Sequence, residues 1–383
     1  MIEIFQNNLS QFLIFGSRFL LLTVIFKTLG VIQFSELSFL ITLVVTYGQA
    51  MTFGSMTYIM NLKENEAKNS LKILIFLFLI TFPFLGFILN YYFDFIYEII
   101  AITFTASVLY GANLILVTSE KRKGNYLADI KVSIIQSSVI SLLCIALVVD
   151  NLEIVEVMMV LNFGYFLCLL SNLKILINVL VENIHSARII DTERSYFGFQ
   201  DLVYLIYSNG LVLLLYNFMD SIDYGHFRAI LLIFLPIGVM VFAISQVVIG
   251  KYNELKEKIN IVVLILIISI SIFYWVFKSL VFDYSGIQIT TELSLVYDIL
   301  IVYSIFNVIN MKFSIVLVVK NLQKTRFLNS LIVSLFIMTV LTILSVIDCI
   351  NIYTGPALLT ASFIAITLLN FRGMIIENRD IRG

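Results

Sequence analysis

Charge is scarce in this chain. Asp, Glu, Lys and Arg together make up 13% of its 383 residues, while 60% are apolar. A water-soluble surface needs far more charge than that, so a soluble globular fold is excluded. Histidine is nearly missing, with 2 residues, and cysteine is limited to 3. Cys144, Cys168 and Cys349 lie in or beside apolar stretches without a CxxC spacing. Neither a disulfide framework nor a thiolate metal site is implied, and they read as core residues. There is no nucleotide-binding glycine loop, no HExxH and no GxSxG, so the chain shows no catalytic constellation and calls for no cofactor or metal. The N-terminus, Met1-Ile2-Glu3-Ile4, lacks the basic region of a cleavable signal peptide, so the first apolar stretch reads as a retained span that also directs insertion.

What the chain has instead is apolar stretches of spanning length, about 20 residues each. Twelve are expected. Six run Leu9 to Leu29, Leu37 to Tyr58, Ile73 to Tyr91, Ile99 to Ser119, Val132 to Val149 and Val157 to Leu173. Six more run Asp201 to Phe218, Tyr224 to Ile249, Ile259 to Val276, Leu295 to Val319, Leu328 to Val346 and Pro356 to Phe371. The expected fold class is an all-α membrane protein.

The few charges are ordered. Of the 24 Lys and Arg residues, 19 fall in every second gap between the apolar stretches. Lys63, Lys68 and Lys72 fill one such gap; Lys121 to Lys131, Lys174 to Arg194, Lys251 to Lys258, Lys320 to Arg326 and the tail from Arg372 fill the others. The remaining gaps are acidic or neutral. Short basic loops stay on the cytoplasmic side, so the alternation places both termini there in a multi-pass protein. The net charge of −1 hides this separation and does not suggest a nucleic-acid partner.

The longest gap, between Lys174 and Gln200, divides the spans six and six. Weak self-similarity supports the division. Phe19 to Leu22, Gln33 to Glu36 and Phe39 to Ile41 resemble Leu211 to Leu214, Gly225 to Arg228 and Leu231 to Ile233. The expected organisation is a six-helix lobe over 1–177, an inter-lobe loop over 178–200, a second lobe over 201–371 and a cytoplasmic tail over 372–383. Two pseudo-symmetric lobes around a central cavity follow from parallel repeats of this kind.

Polar residues avoid the lipid-facing side of a span, so polar stripes point inward. The second stretch carries Ser35, Ser38, Thr42, Thr46 and Gln49 near one face. The first carries Asn7, Gln11 and Arg18; the seventh Asp201, Tyr204 and Ser208; the tenth Tyr303, Asn307, Asn310 and Ser314. Each stripe fits a hydrated cavity or a helix–helix contact.

Five cations escape the alternation; Lys27 and Lys278 flank the outer face, which leaves Arg18, Arg228 and Lys312. A charge near the bilayer centre costs at least about 2.5–3.5 kcal/mol, so it needs a partner or water. Arg18 suits a phosphate anchor, because guanidinium binds phosphate bidentately, or a structural ion pair with Asp201 or Asp298. Arg228 fits the same role, or snorkelling, or a pair with Asp223; Lys312 either snorkels or is surrounded by protein. Asp201 and Asp298 become candidates for ion coupling if they are buried. Pro83 with Gly86 and Pro236 with Gly238 mark bends that are either hinges or passive kinks. The run Tyr91 to Tyr97 reads as an interfacial aromatic belt rather than a sugar-stacking platform.

Several short runs resemble a known family. They are Gly16-Ser17-Arg18-Phe19, Leu29-Gly30 with Phe34-Ser35, Tyr47-Gly48 through Phe53-Gly54, and Tyr224 to Ala229 with Leu235-Pro236. With the twelve-span plan they resemble the bacterial O-antigen and polysaccharide flippases (Wzx-type) of the multidrug/oligosaccharidyl-lipid/polysaccharide exporter superfamily. Phe34-Ser35 stands where that family usually has Phe-Gly. The resemblance implies translocation of an undecaprenyl-diphosphate-linked oligosaccharide across the bacterial inner membrane by alternating access. It implies as partners the lipid-linked oligosaccharide, membrane lipids, a polysaccharide polymerase and a chain-length regulator. The substrate-binding candidates are Arg18, Arg228, Lys312, Gln11, Thr42, Thr46, Gln49, Asn307 and Asn310. Two alternatives stand beside this reading. An ion-coupled multidrug antiporter would share the fold and differ in cavity chemistry. A membrane-embedded O-antigen polymerase would need a sizeable basic outer loop, yet the longest here, Phe277 to Glu292, holds only Lys278 as a base.

Overall fold

A computed structural model describes residues 2–61, 66–93, 95–150, 152–181, 192–250, 252–276, 278–285, 287–320 and 322–380. Regular structure among them is helical throughout. The first half of the chain forms α1 (Ile2–Thr52), α2 (Ser55–Asn61), α3 (Ala67–Phe93), α4 (Tyr97–Arg122), α5 (Leu127–Val149), α6 (Ile154–Ser171) and α7 (Leu173–Val181). The second half forms α8 (Thr192–Leu205), a π-turn (Ile206–Gly210), α9 (Leu211–Phe218), α10 (Ser221–Ile233), α11 (Leu235–Gly250), α12 (Tyr252–Leu255), α13 (Ile259–Val276), α14 (Lys278–Ser285), α15 (Thr291–Val319), α16 (Gln323–Val346) and α17 (Thr354–Asp380). A bilayer offers no partner to an open backbone group, and the helix satisfies its own.

Ten helical segments of the described chain are long and apolar enough to cross a membrane. They account for the twelve expected spans through two irregularities. α1 covers the first two spans and kinks at Gly30, whose φ of 81° and ψ of 176° suit glycine alone. The span expected from Tyr224 to Ile249 is broken into α10 and α11 around Phe234, two residues ahead of Pro236. Proline has no amide hydrogen to donate, and the Ile237 amide turns to the Phe234 carbonyl at 3.1 Å; the Ile233 carbonyl thus left over accepts a hydrogen bond from the Tyr274 hydroxyl at 2.8 Å. Pro83, by contrast, sits inside an unbroken α3.

Two compact units divide the chain, one of Met1–Leu29 with Glu36–Leu205 and the other of Gly30–Ser35 with Ile206–Gly383. The chain thus visits the second unit briefly at Gly30–Ser35, next to the kink in α1, and enters it for good at the π-turn inside the seventh span. Of the stretch 178–200, α7 includes residues up to Val181 and α8 those from Thr192 on, and 182–191 lie outside the described residues. The expected tail is likewise helical up to Asp380, as a continuation of α17.

In the first unit, small residues let backbones meet, as helix association in lipid requires. A Cβ on Gly48 would lie 2.7 Å from the Ser107 carbonyl oxygen, and one on Gly111 would lie 2.9 Å from that of Gly48. α1 and α4 therefore cross backbone to backbone. Serines join α1 to α5: Ser10 Oγ lies 2.7 Å from Ser133 Oγ, and Ser137 donates to the Leu13 carbonyl at 2.9 Å. The aromatic run at the end of α3 splits by direction. Tyr91, Tyr92 and Tyr97 are exposed, while Phe93 and Phe95 stack on Phe39 with centroids 5.2 and 5.6 Å away.

In the second unit α15 is clasped by α17. Thr360 and Thr367 donate to the carbonyls of Ile299 and Phe306 at 3.2 and 3.3 Å. Both donors and both acceptors are separated by seven residues, so the contact repeats along one face of each helix.

Candidate functional site

Arg18 is buried in the first unit, with 7% of its surface exposed. Its Nη2 donates to the Tyr165 hydroxyl at 3.3 Å, and its guanidinium carbon lies 5.4 Å from the centre of the Tyr110 ring. The two tyrosines meet edge to face at 5.6 Å. α6 is held against α4 here by Asn113, whose amide donates to the Tyr165 carbonyl at 3.0 Å. The result is a cation on α1 seated against aromatic groups of α4 and α6. Aromatic faces stabilise a guanidinium by attraction to its charge. Asp298, one of the two carboxylates weighed as its ion-pair partner, is instead paired with Lys278 at 2.6 Å and keeps 44% of its side chain exposed.

The other candidates of the first unit lie as follows. Thr42 returns its hydroxyl hydrogen to the Ser38 carbonyl at 2.7 Å. Thr46 is buried, and its hydroxyl finds no partner among the described residues. Gln49 and Asp201 are half-buried. The side chain of Gln11 lies outside the described residues.

In the second unit Arg228 is buried beside Tyr224, on the turn that precedes it in α10, so its side chain does not reach outward to head groups. Lys312 is half-buried, with its ammonium 5.7 Å from the centre of the Phe313 ring. Asn307 is buried, and a Cβ on Gly238 of α11 would stand 3.9 Å from its amide nitrogen. Asn310 belongs to a buried amide ladder. Asn329 of α16 donates to Asn370 of α17, and Asn370 donates to Asn310 of α15, each at 2.9 Å. For Asn310 the helix–helix alternative is therefore the one realised.

Two cations assigned to loops by sequence are buried as well. Lys121 pairs with Asp129 at 2.6 Å, both nearly inaccessible, and ties α4 to α5. Arg194 is 1% exposed, on the first turn of α8. The only sequence signal for it was proximity, since Tyr196-Phe197-Gly198-Phe199 follows at once. Outside the spans, Asp223 at the start of α10 has its carboxyl raised above the usual range by partial burial, then by Asp220 and Glu292, against an opposing effect of His226. Among the described residues, no group of three His, Cys, Asp or Glu side chains could hold a metal ion.

Solved structures share this architecture. An outward-facing multidrug resistance MATE family transporter of the MOP superfamily aligns over 99% of this chain and 96% of its own, at 13% identity and a TM-score of 0.65. The fold is that of the MATE-type transporters. A MOP superfamily transporter from Pyrococcus furiosus Vc1 (DSM3638), described as having a binding pocket of reverse polarity that suggests a different function, aligns over 100% and 96% at 12% identity and a TM-score of 0.65. An inward-facing MATE transporter aligns over 97% and 94%, at 12% identity and a TM-score of 0.59. No protein-family model matches the chain, and neither does any curated protein. At such identities the likeness is one of fold alone.

Proposed function

We propose that this chain is a membrane exporter that works by alternating access of its two units. The observation that carries the reading is the end-to-end agreement with the MATE-type fold, over 99% of the chain, together with the division into two compact units. Multidrug export is the substrate reading these neighbours support. Arg18 sets its polarity: a buried guanidinium seated on tyrosines repels permanent cations and favours anionic or zwitterionic amphiphiles. Ion coupling falls to Asp201 rather than Asp298, whose carboxylate already serves Lys278.

Arg18 also favours a second reading, the flipping of a lipid-linked diphosphate oligosaccharide, since a guanidinium suits a diphosphate. The pocket of reverse polarity described for the archaeal MOP transporter supports the view that this fold can serve more than one charge class. Under either reading the protein lies in a bacterial cytoplasmic membrane with both termini inside. Reporter fusions at Lys123 and Lys256 should then report cytoplasm, and fusions at Tyr92 and Asp150 the opposite side.

One experiment separates the readings. The purified protein is placed in proteoliposomes with fluorescent anionic or cationic amphiphiles, and the gene is deleted in its host. Transport of the anionic probes supports export; loss of surface polysaccharide without probe transport supports the flippase. Arg18→Ala should abolish whichever activity is found while membrane abundance stays unchanged.

A further inference from the structure

Arg194 is the largest fully buried side chain of the described residues, at 1% exposure. Its Nη2 donates to Ser55 Oγ at 2.8 Å and to Ser70 Oγ at 2.7 Å. Its Nη1 lies 3.6 Å from Glu66 Oε2, and its guanidinium carbon lies 5.0 Å from the centre of the Tyr58 ring. One guanidinium thus gathers α2, the residue before α3, α3 itself and α8. Glu66 is held in turn by Asn69, whose amide donates to the same Oε2 at 3.0 Å.

One turn further along α8 the contact becomes backbone to backbone. Gly54, at φ +70°, lies so close that a Cβ there would be 2.5 Å from the Gly198 nitrogen. A Cβ on Gly198 would meet the Phe53 ring at 2.5 Å. Phe53 and Phe199 meet edge to face at 5.5 Å, and Tyr58 and Phe197 do so at 6.2 Å. The motif Phe53-Gly54 is therefore the socket for the first half of the seventh span. That half stays with the first unit up to Leu205, and the chain enters the second unit at Ile206, the first residue of the π-turn. A π-turn inside an α-helix is a local weakness in the hydrogen-bond ladder and recurs at functional sites.

We infer that Arg194 is a positioning residue for transport: it fastens α8 to the first unit throughout the cycle, so that bending along the seventh span falls at the π-turn Ile206–Gly210. The inference rests on the alternating-access reading above. Glycine and aromatic packing would suffice to seat a passive helix. A buried guanidinium adds two directional bonds, to Ser55 of α2 and Ser70 of α3, with the Glu66 carboxylate at ion-pair distance, an arrangement that a lysine's point charge does not reproduce.

The test uses the full chain in proteoliposomes, with Cys349, the exposed cysteine, replaced by serine. Arg194→Gln and Arg194→Lys are compared with wild type for thermal unfolding, substrate KM and maximal rate. The maximal rate per folded molecule should fall on the order of tenfold in Arg194→Gln with KM unchanged. Phe53→Cys with Phe199→Cys, joined by a short bismaleimide, should leave the wild-type rate intact and restore the rate of the Arg194 variant. A block of wild-type transport by the cross-link would overturn the inference, because the socket would then have to open in each cycle. So would an Arg194 variant, in whichever of the two substitutions folds, that loses thermal stability but keeps its rate, or a cross-link that restores nothing. No transport by the wild type of any probe, with no host polysaccharide defect, removes the transporter reading and this inference with it.

Discussion

Arg18 and Tyr165 are joined by a buried hydrogen bond of 3.3 Å between spans that lie 147 residues apart. The hydroxyl accepts from the guanidinium and so aims it. Tyr165→Phe keeps the ring contact with Tyr110 and removes only the acceptor. A net hydrogen bond to a charged group contributes about 1.5–3 kcal/mol, so part of that should appear as a several-fold higher KM for the anionic probe. An unchanged KM with a lower melting temperature would assign the bond to folding alone.

Tyr274 caps the break between α10 and α11 by donating to the Ile233 carbonyl. Its own backbone carbonyl accepts from the Tyr297 hydroxyl at 2.8 Å, a second and separate buried bond that ties α15 to α13. Removing the first donor leaves a carbonyl unsatisfied in a place water does not reach, at a cost of about 1–3 kcal/mol. Tyr274→Phe should therefore lower the unfolding temperature in detergent. Tyr297→Phe, which leaves the Tyr274 carbonyl without its donor, should do the same.

Two glycines of α1 should respond in opposite directions. Gly48→Ala places a methyl group 2.7 Å from a backbone oxygen, so α1 and α4 must separate. Overpacking of this kind costs about 1–3 kcal/mol. A methyl group on Gly16 would have nothing within 4 Å, and the backbone there has no left-handed φ. Gly16→Ala should be neutral or stabilise by up to about 1 kcal/mol through the lower entropy of the unfolded chain. Thermal unfolding of the two variants side by side checks both signs.

Asp223 supplies a pH dependence. Its folded carboxyl is raised, so the folded state holds the proton more tightly than the unfolded chain does. The resulting stability is complete below the unfolded value of about 3.9 and is lost as pH rises through the folded one. Asp223→Asn lacks that loss. It should melt above the wild type at neutral pH, with the gap narrowing toward about pH 4. A gap that widens on acidification would show that the carboxylate is stabilised by its surroundings instead.

The spans and their number were legible because lipid imposes one rule on every residue of a span, and that rule leaves a local trace in apolar length. The burial of Arg18 was legible for the same reason: a cation deep inside an apolar stretch has nowhere else to go. Arg194 was not legible. Placed at the edge of a basic gap, it looks like a solvated loop charge, and its partners Ser55 and Ser70 lie 139 and 124 residues away. The polar face of α15 was visible, but its use was not. A stripe of amides reads alike whether water or Asn370 completes it, and only packing against α17 selects Asn370 for Asn310.

The alternation of basic and acidic gaps likewise said which loops belong together without saying which of their cations are buried. By itself the sequence determined an all-helical membrane protein, its number of spans and its one deeply placed cation beside a polar stripe, because each depends on residues close in the chain. Tertiary structure alone decided that Arg194 and Lys121 are buried and that the seventh span is shared between two units at a π-turn. Those outcomes depend on which distant side chains arrive to complete a hydrogen bond or an ion pair, and no local pattern encodes that arrival.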